Sequence, residues 1–447
     1  MALGERVVSQ AKKLGADVAE AVVGEGSHLS TKVRLGEPEL VEEAGSRAVG
    51  LRVMLGKQVS VSYTSDLTDA GVRRFVEDAI ELARFAQPDE HAGPPDASLL
   101  SRRAEHADLD LYDASLHAVD GAQALAHAKA AEAAARAYDP RITNSEGASF
   151  SRASGGKAIV TSGGFAGATS GTYASLSVHP VADDADGKNR SGFYWSAKRH
   201  LDGLEPDDRV GAEAARRTVA KLGARKLETQ ELPVVFDPEV GRSILGLLAG
   251  CVNGGAIWRR SSYLLDREGT QVASDLVSIV DDPLIPRAPG SRPFDGEGLL
   301  SRRNVLVEKG ILQTYLLDAY SARKLGREST ASASRGSSGG VSPSTTNLVL
   351  QPGTVSPEAL LASTGRGLYV TEMMGFGFNA VTGDFSRGAA GFWIENGELA
   401  FPVSEVTISL NLDEILKRID AIADDLDLRT SIATPTFRVS AMILAGR

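Results

Sequence analysis

Zinc hydrolysis and acid–base catalysis near neutral pH both call on imidazole or thiolate groups, and this chain has few of either. Its only cysteine is Cys251, and no histidine follows His200 in the 447-residue sequence. Histidine is the commonest general base near pH 7 and a common zinc ligand. The seven histidines are His28, His91, His106, His117, His127, His179 and His200. No two have the helical i, i+4 spacing of a zinc pair; His117 and His127 share a helix but flank no glutamate. Most lie in polar or linker-like runs and read as solvated. Cys251 alone can form neither an intramolecular disulfide nor a Cys-rich metal site, and it reads as a small buried hydrophobe.

Other chemistries fail on context. Gly336-Ser-Ser338-Gly-Gly340 has the spacing of a serine elbow, but Val341-Ser-Pro343 follows instead of a helix and no later histidine serves it. Ser321-Ala-Arg-Lys324 matches S-x-x-K without K-T-G and reads as plain helix. Lys57, Lys157 and Lys188 follow glycines but precede no Ser or Thr, so there is no phosphate loop. Gly375-Phe-Gly377-Phe-Asn-Ala380 imitates a dinucleotide fingerprint, but no helix pattern follows it. The carboxylate pairs Asp281-Asp282 and Asp424-Asp425, with Asp295 and Glu297 beyond the first, could serve a glycosidase or an oxygen-ligand metal site. Each also fits a turn or helix cap.

The most unusual stretch runs from Tyr369 to Val403. Glycines at this density let backbone or ligand approach closely and leave N–H and C=O groups free to pair with an extended peptide. The plainer reading is a tight interstrand loop whose Asp and Ser cap their own turns.

The elements that would position these residues predict an α+β protein. It has an N-terminal α/β unit, a middle segment of helix plus strands, and a large C-terminal mixed β-rich domain with antiparallel hairpins. Expected boundaries are 1–90, a Pro/Ala/His/Asp-rich linker at 91–113, a middle domain at 114–225 and a C-terminal domain at 230–447. Short β-patterned runs fall at Thr31–Leu35, Leu40–Glu43, Arg47–Met54 and Val59–Tyr63, with Leu55-Gly56-Lys57 as a hairpin turn. Helical periods mark Gly4–Leu14, Leu67–Phe85, Ala114–Tyr138 and Asp208–Leu222. Hairpins are predicted around Glu308-Lys309-Gly310 and Glu395-Asn396-Gly397-Glu398.

Bulk properties bound the partners. The net charge is −10, from 48 basic and 58 acidic residues. That speaks against a nucleic-acid partner, which requires a basic face. The chain is 42% apolar, enough for a sizeable core, and has no apolar stretch long enough to span a bilayer. With one thiol and no signal-like N-terminus, a soluble cytoplasmic protein is expected.

Several motifs carry a family resemblance. Asn379-Ala-Val-Thr-Gly-Asp-Phe-Ser-Arg-Gly388, Gly391-Phe-Trp-Ile-Glu-Asn-Gly397 and Pro402-Val-Ser-Glu-Val-Thr407 resemble the C-terminal signature of the TldD/PmbA family. Gly50-Leu-Arg-Val53, Tyr63-Thr-Ser-Asp66, Asp281-Asp-Pro283, Phe294-Asp-Gly-Glu-Gly298, Tyr320-Ser-Ala-Arg-Lys-Leu-Gly326 and Thr346-Asn-Leu348 match in order along the chain. The resemblance implies a cytoplasmic zinc metalloprotease in which a TldD-type subunit carries H-E-x-x-x-H and a later cysteine. The PmbA (TldE) type carries neither. Anchored on Trp258-Arg-Arg260, the zinc motif would fall on Gly246-Leu-Leu-Ala-Gly-Cys251, so Gly246, Leu247 and Cys251 stand at the ligand and base places. No cysteine precedes Thr434-Pro-Thr-Phe-Arg438.

The expectation is therefore a PmbA/TldE-type subunit without catalytic residues, metal ligands or cofactor of its own. Zinc would sit on a TldD-type partner in a heterodimer; a homodimer is the alternative. The substrate would be an extended, unfolded or modified peptide, with Asn379, Thr382, Asp384, Arg387 and Arg323 as cleft candidates. A stand-alone carboxylate hydrolase using the Asp281–Glu297 region, a regulatory protein of the gyrase-modulator kind and a specialised peptide-maturation peptidase are the other readings.

Overall fold

The computed structural model describes residues 1–185 and 187–446. The first segment holds α1 (Ala2–Lys13), β1 (Val18–Arg34), β2 (Glu37–Leu55), β3 (Gln58–Thr64) and α2 (Asp69–Phe85). The middle segment holds α3 (Gly121–Tyr138), β4 (Ile142–Thr161), β5 (Ala166–Asp183), β6 (Asn189–Ser191), β7 (Tyr194–Lys198) and α4 (Asp207–Val219). β1 pairs antiparallel with β4 from Glu20↔Thr161 to Val33↔Ala148, so both segments share one seven-stranded sheet across the 91–113 stretch.

The short runs expected between residues 31 and 63 are pieces of longer strands. β1 and β2 form one hairpin whose two-residue turn, Leu35-Gly36, is left-handed at both positions (φ 54° and 87°). A leucine resists that conformation. The Glu132 carboxylate of α3 holds it there, accepting the N–H groups of Leu35 at 2.9 Å and Gly36 at 2.7 Å. Such tertiary support has no local sequence signal.

Along β1 the odd residues Ala19, Ala21, Val23, Leu29 and Val33 face the helices, α1 and α2 at one end and α3 and α4 at the other. Helix α3 buries Ala124, Ala128, Ala131 and Ala135. This small face lets α4 come close enough that a Cβ on Gly211 would lie 2.1 Å from the Ala131 carbonyl oxygen. The even residues Glu20 and Val22 face the third segment instead, meeting Arg335 and a cluster that includes Phe294.

That third segment begins with β8 (Gln230–Phe236), α5 (Pro238–Cys251), α6 (Gly254–Trp258), β9 (Ile279–Asp281), β10 (Asn304–Glu308) and β11 (Ile311–Leu312). It continues with α7 (Ala319–Leu325), β12 (Ala333–Arg335), β13 (Val341–Pro343), β14 (Leu348–Leu350), α8 (Pro357–Thr364), β15 (Arg366–Met374) and β16 (Asp384–Glu395). β17 (Glu398–Asn411), α9 (Leu412–Lys417), β18 (Ile419–Ile422), β19 (Ile432–Ala433) and β20 (Phe437–Ala445) complete it. Strands run in the order β17-β16-β15-β8-β20-β18, and a further β17–β20 pairing closes a barrel. A second sheet, β11-β10-β9-β14-β19, lies beside it. The hairpins predicted at Lys309-Gly310 and Asn396-Gly397 both form with left-handed turn residues. The α+β class with antiparallel hairpins is the fold observed. No helix among the described residues is long and apolar enough to cross a membrane.

Candidate functional site

Helix α5 starts at Asp237, whose Oδ1 accepts the Glu239 N–H at 2.9 Å, with Pro238 in the first turn where its missing N–H costs nothing. Val240, Ile244, Leu245, Leu248 and Cys251 turn into the core, while Gly246 and Leu247 are half-buried and Gly250 is exposed. Small residues set how closely the neighbouring chain crosses. A Cβ on Gly241 would lie 2.5 Å from Thr434 Oγ1, and one on Gly246 would lie 3.8 Å from Ile432 Cδ1. The accessible face of α5 therefore looks onto β19 and the residues after it.

The zinc that the resemblance implies for a TldD-type subunit does not fit this helix. Gly246 and Leu247 offer no ligand atom. Cys251 is fully buried, and burial pushes its thiol up to about 11, so it stays protonated at neutral pH. Thr434 has its hydroxyl in a buried position without a partner, and no described group of three or more His, Cys, Asp and Glu residues could hold a metal ion.

Family models match the chain in order as the PmbA/TldA metallopeptidase domain 1 (residues 19–83), central domain (115–222) and C-terminal domain (229–446). The chain is 39% identical over 440 residues to the metalloprotease PmbA homolog of Haemophilus influenzae, covering 98% of this chain and 94% of that one. This chain belongs to the PmbA/TldE family of metallopeptidases. Metalloprotease PmbA of Escherichia coli O157:H7 is 38% identical over 446 residues, covering 99% and 96% of the two chains. A crystal structure from Bacteroides thetaiotaomicron, described as a candidate modulator of DNA gyrase, matches with a TM-score of 0.93 at 27% identity, covering 100% and 98%.

Within this PmbA/TldE chain, Asn379, Thr382 and Asp384 come together at the tip of the β15–β16 hairpin, and all three are exposed. Their polar atoms largely bond within the tip. Asn379 Oδ1 accepts the Val381 N–H at 3.0 Å, Thr382 Oγ1 donates to Asp384 Oδ2 at 2.7 Å, and Asn411 Nδ2 donates to the Thr382 carbonyl at 2.8 Å. Arg387 lies further along β16 with its guanidinium 5.7 Å from the Phe385 ring, and its buried Nε has no protein partner.

Arg323 lies elsewhere, on α7. Its guanidinium donates to the carbonyls of His91 at 2.7 Å, Gly93 at 2.7 Å and Pro94 at 3.1 Å, tying the segment after α2 to the third segment. The histidines are less solvated than their sequence context implies: His28 and His117 are exposed, whereas the other five are half-buried. His127, for example, stacks on Phe150 and bonds to Asp207.

Three of the four carboxylates of the 281–297 region are sealed, while Asp282 is half-buried. Asp281, Asp295 and Glu297 are each 1% exposed. Asp281 lies on β9 rather than in a turn, and accepts the Thr346 N–H and hydroxyl. Asp295 accepts N–H groups from Glu297, Leu299 and Ala333, and Glu297 accepts that of Ala319. Burial, reinforced by the Asp295 charge, pushes the Glu297 carboxyl up to about 8. These groups organise loops and have no open path to a substrate-sized ligand.

A pair that the sequence does not announce lies at the start of α5. The Tyr369 hydroxyl donates to Asp237 Oδ2 at 2.8 Å. Burial pushes both groups up, well above the ordinary range for the tyrosine. The partners are far apart in sequence, and only the parallel β8–β15 pairing brings them together.

Proposed function

We propose that this chain is the non-catalytic, peptide-holding subunit of a TldD/TldE-type zinc metallopeptidase, working in the cytoplasm with a TldD-type partner that carries the zinc. The observation that carries the reading is the composition of α5. A catalytic zinc needs about three protein ligands, an open position for water and a base. At the corresponding places stand Gly246, Leu247 and a buried, protonated Cys251. The helix nonetheless keeps an accessible face toward β19, which suits a wall of a peptide chamber better than a catalytic centre.

Extended, unfolded or modified peptides are the substrate class. The exposed hairpin tip at residues 374–377 leaves main-chain groups accessible, whereas residues 388–391 are paired on both sides by β15 and β17. Arg387 on β16 keeps a buried Nε without a protein partner. The test is reconstitution with the purified TldD-type subunit and an unstructured polypeptide such as casein. Hydrolysis should rise well above that of the TldD-type subunit alone when this chain is added, and a chelator should abolish it. A mixture no more active than the TldD-type subunit alone would remove the proposal.

A further inference from the structure

A cavity of about 540 Å³ lies between the middle and third segments at the start of α5. This is within the ordinary size range for a small-molecule or side-chain site. Phe193 and helix α4 form one wall; Tyr369, Phe392, Leu399 and Leu361 line the other. Tyr369 and Phe392 are register partners on neighbouring strands, which places both rings on one sheet face.

Most of the charged groups around the cavity are paired, and Glu358 at its rim offsets the second of the two arginines that share Glu213. Arg216 and Arg217 both bond to Glu213, Lys221 to Glu372, and Arg242 to Glu239. An uncharged apolar group would enter without breaking any of these pairs.

A second cavity of about 220 Å³ shares Arg217, Asp237, Glu239 and Tyr369 with the first. It continues past the Asp237–Tyr369 hydrogen bond to Ile432 and Thr434, beside the Gly246 face of α5. Together the two make one track from an aromatic chamber to that helix.

We propose that the larger cavity is a subsite for a bulky uncharged side chain, aromatic or large aliphatic, of an extended peptide whose backbone continues through the smaller cavity toward α5. This rests on the peptide-holding reading and adds a side-chain preference to it. The track has the two parts such a ligand needs. One is an apolar chamber with room for a ring. The other is a narrower polar passage where Thr430 and Thr434 stand among arginines and the carboxylates of Asp237, Glu239, Asp425 and Asp427, which offers both donors and acceptors to main-chain amides. A hydrophobic subsite discriminates on the order of tenfold or more between side chains that differ this much in size.

The test uses the full chain and two fluorescent peptides, capped at both ends, of sequence Gly-Ser-Gly-X-Gly-Ser-Gly with X as Phe or Ala, followed by anisotropy. The Phe peptide should bind at least about tenfold more tightly than the Ala peptide. Leu399→Asp places a charge at the cavity's exposed edge and should remove that preference. Leu276→Asp, at another exposed leucine outside the track, should leave it unchanged. A peptide with p-benzoylphenylalanine at X should crosslink the unsubstituted chain at residues lining the 540 Å³ cavity. Equal affinity for both peptides, or crosslinks confined to other surfaces, would overturn the subsite while leaving peptide holding intact. Binding of neither peptide would overturn both.

Discussion

Arg335 is fully buried where the N-terminal sheet meets the third segment, and replacing it should weaken that junction more than any surface change. Its Nε donates to the Gly296 carbonyl at 2.6 Å, one terminal nitrogen to the Gly339 carbonyl at 3.1 Å and the other to Glu20 Oε2 at 2.8 Å. Burial alone would push the Glu20 carboxyl up, but Arg335 and Arg52 outweigh it and hold it below the ordinary range. Arg335→Met keeps much of the volume and removes all three donors. Breaking a buried ion pair from one side costs about 3–5 kcal/mol. Arg52 still reaches Glu20 at 3.2 Å, so the lower end, about 3 kcal/mol, is expected. Native-state hydrogen exchange reads this directly as an opening free energy at the amides of β1 and β12. They should exchange roughly 150-fold faster in the variant. Adding Glu20→Gln should recover part of the loss, because it removes the buried carboxylate while leaving Arg52 without its ion partner. A loss below about 1 kcal/mol, or no recovery in the double variant, would show that this ion pair does not hold the junction.

Glu297 gives a pH signature of known sign. Its folded pKa is raised from the usual 4.5 to about 8, so the stability its protonated form contributes is complete below pH 4.5 and is lost as pH rises through 8. The slope is at most about 1.4 kcal/mol per pH unit. Glu297→Gln should therefore be close to the parent in urea titrations at pH 5 and more stable than it at pH 9; the reverse order would contradict the assignment. Gly211→Ala should destabilise the α3–α4 pair by about 1–3 kcal/mol, since the new Cβ would lie 2.1 Å from the Ala131 carbonyl oxygen. Thermal unfolding checks it, and an unchanged midpoint would mean that the helices can separate freely. Arg323→Met should speed proteolytic cleavage in the 87–99 stretch by freeing the carbonyls of His91, Gly93 and Pro94, without changing peptide affinity. A drop in affinity with no change in cleavage would instead make Arg323 a peptide contact.

The sequence was legible where local physics decides. Glycine and asparagine turns placed the hairpins at 309–310 and 396–397, and apolar periodicity placed α1, α2 and α4. Strand length was not legible, because the 19-residue β2 is polar and exposed over its first half and is held by pairing with β1 rather than by its own pattern. The Leu35 turn depends on Glu132, which lies 97 positions away. For the candidate site, the residues at the places of the family's zinc motif, Gly246, Leu247 and Cys251, could be read one by one. The Asp237–Tyr369 pair and the cavity behind it arise only where distant strands meet, and no spacing in the sequence encodes them. The polar residues of the 379–384 tip illustrate the opposite hazard. Asn, Thr and Asp in a glycine-rich loop have the composition of a ligand cleft, yet most of their hydrogen bonds close on the loop itself.

The central claim is that this chain does not carry the peptidase chemistry of its family. Its most direct test is hydrolysis of an unstructured peptide by the purified chain alone, with zinc supplied and then chelated, while bound zinc is measured on the same sample. The account predicts no hydrolysis and much less than one bound zinc per chain. Stoichiometric zinc with chelator-sensitive cleavage would contradict it.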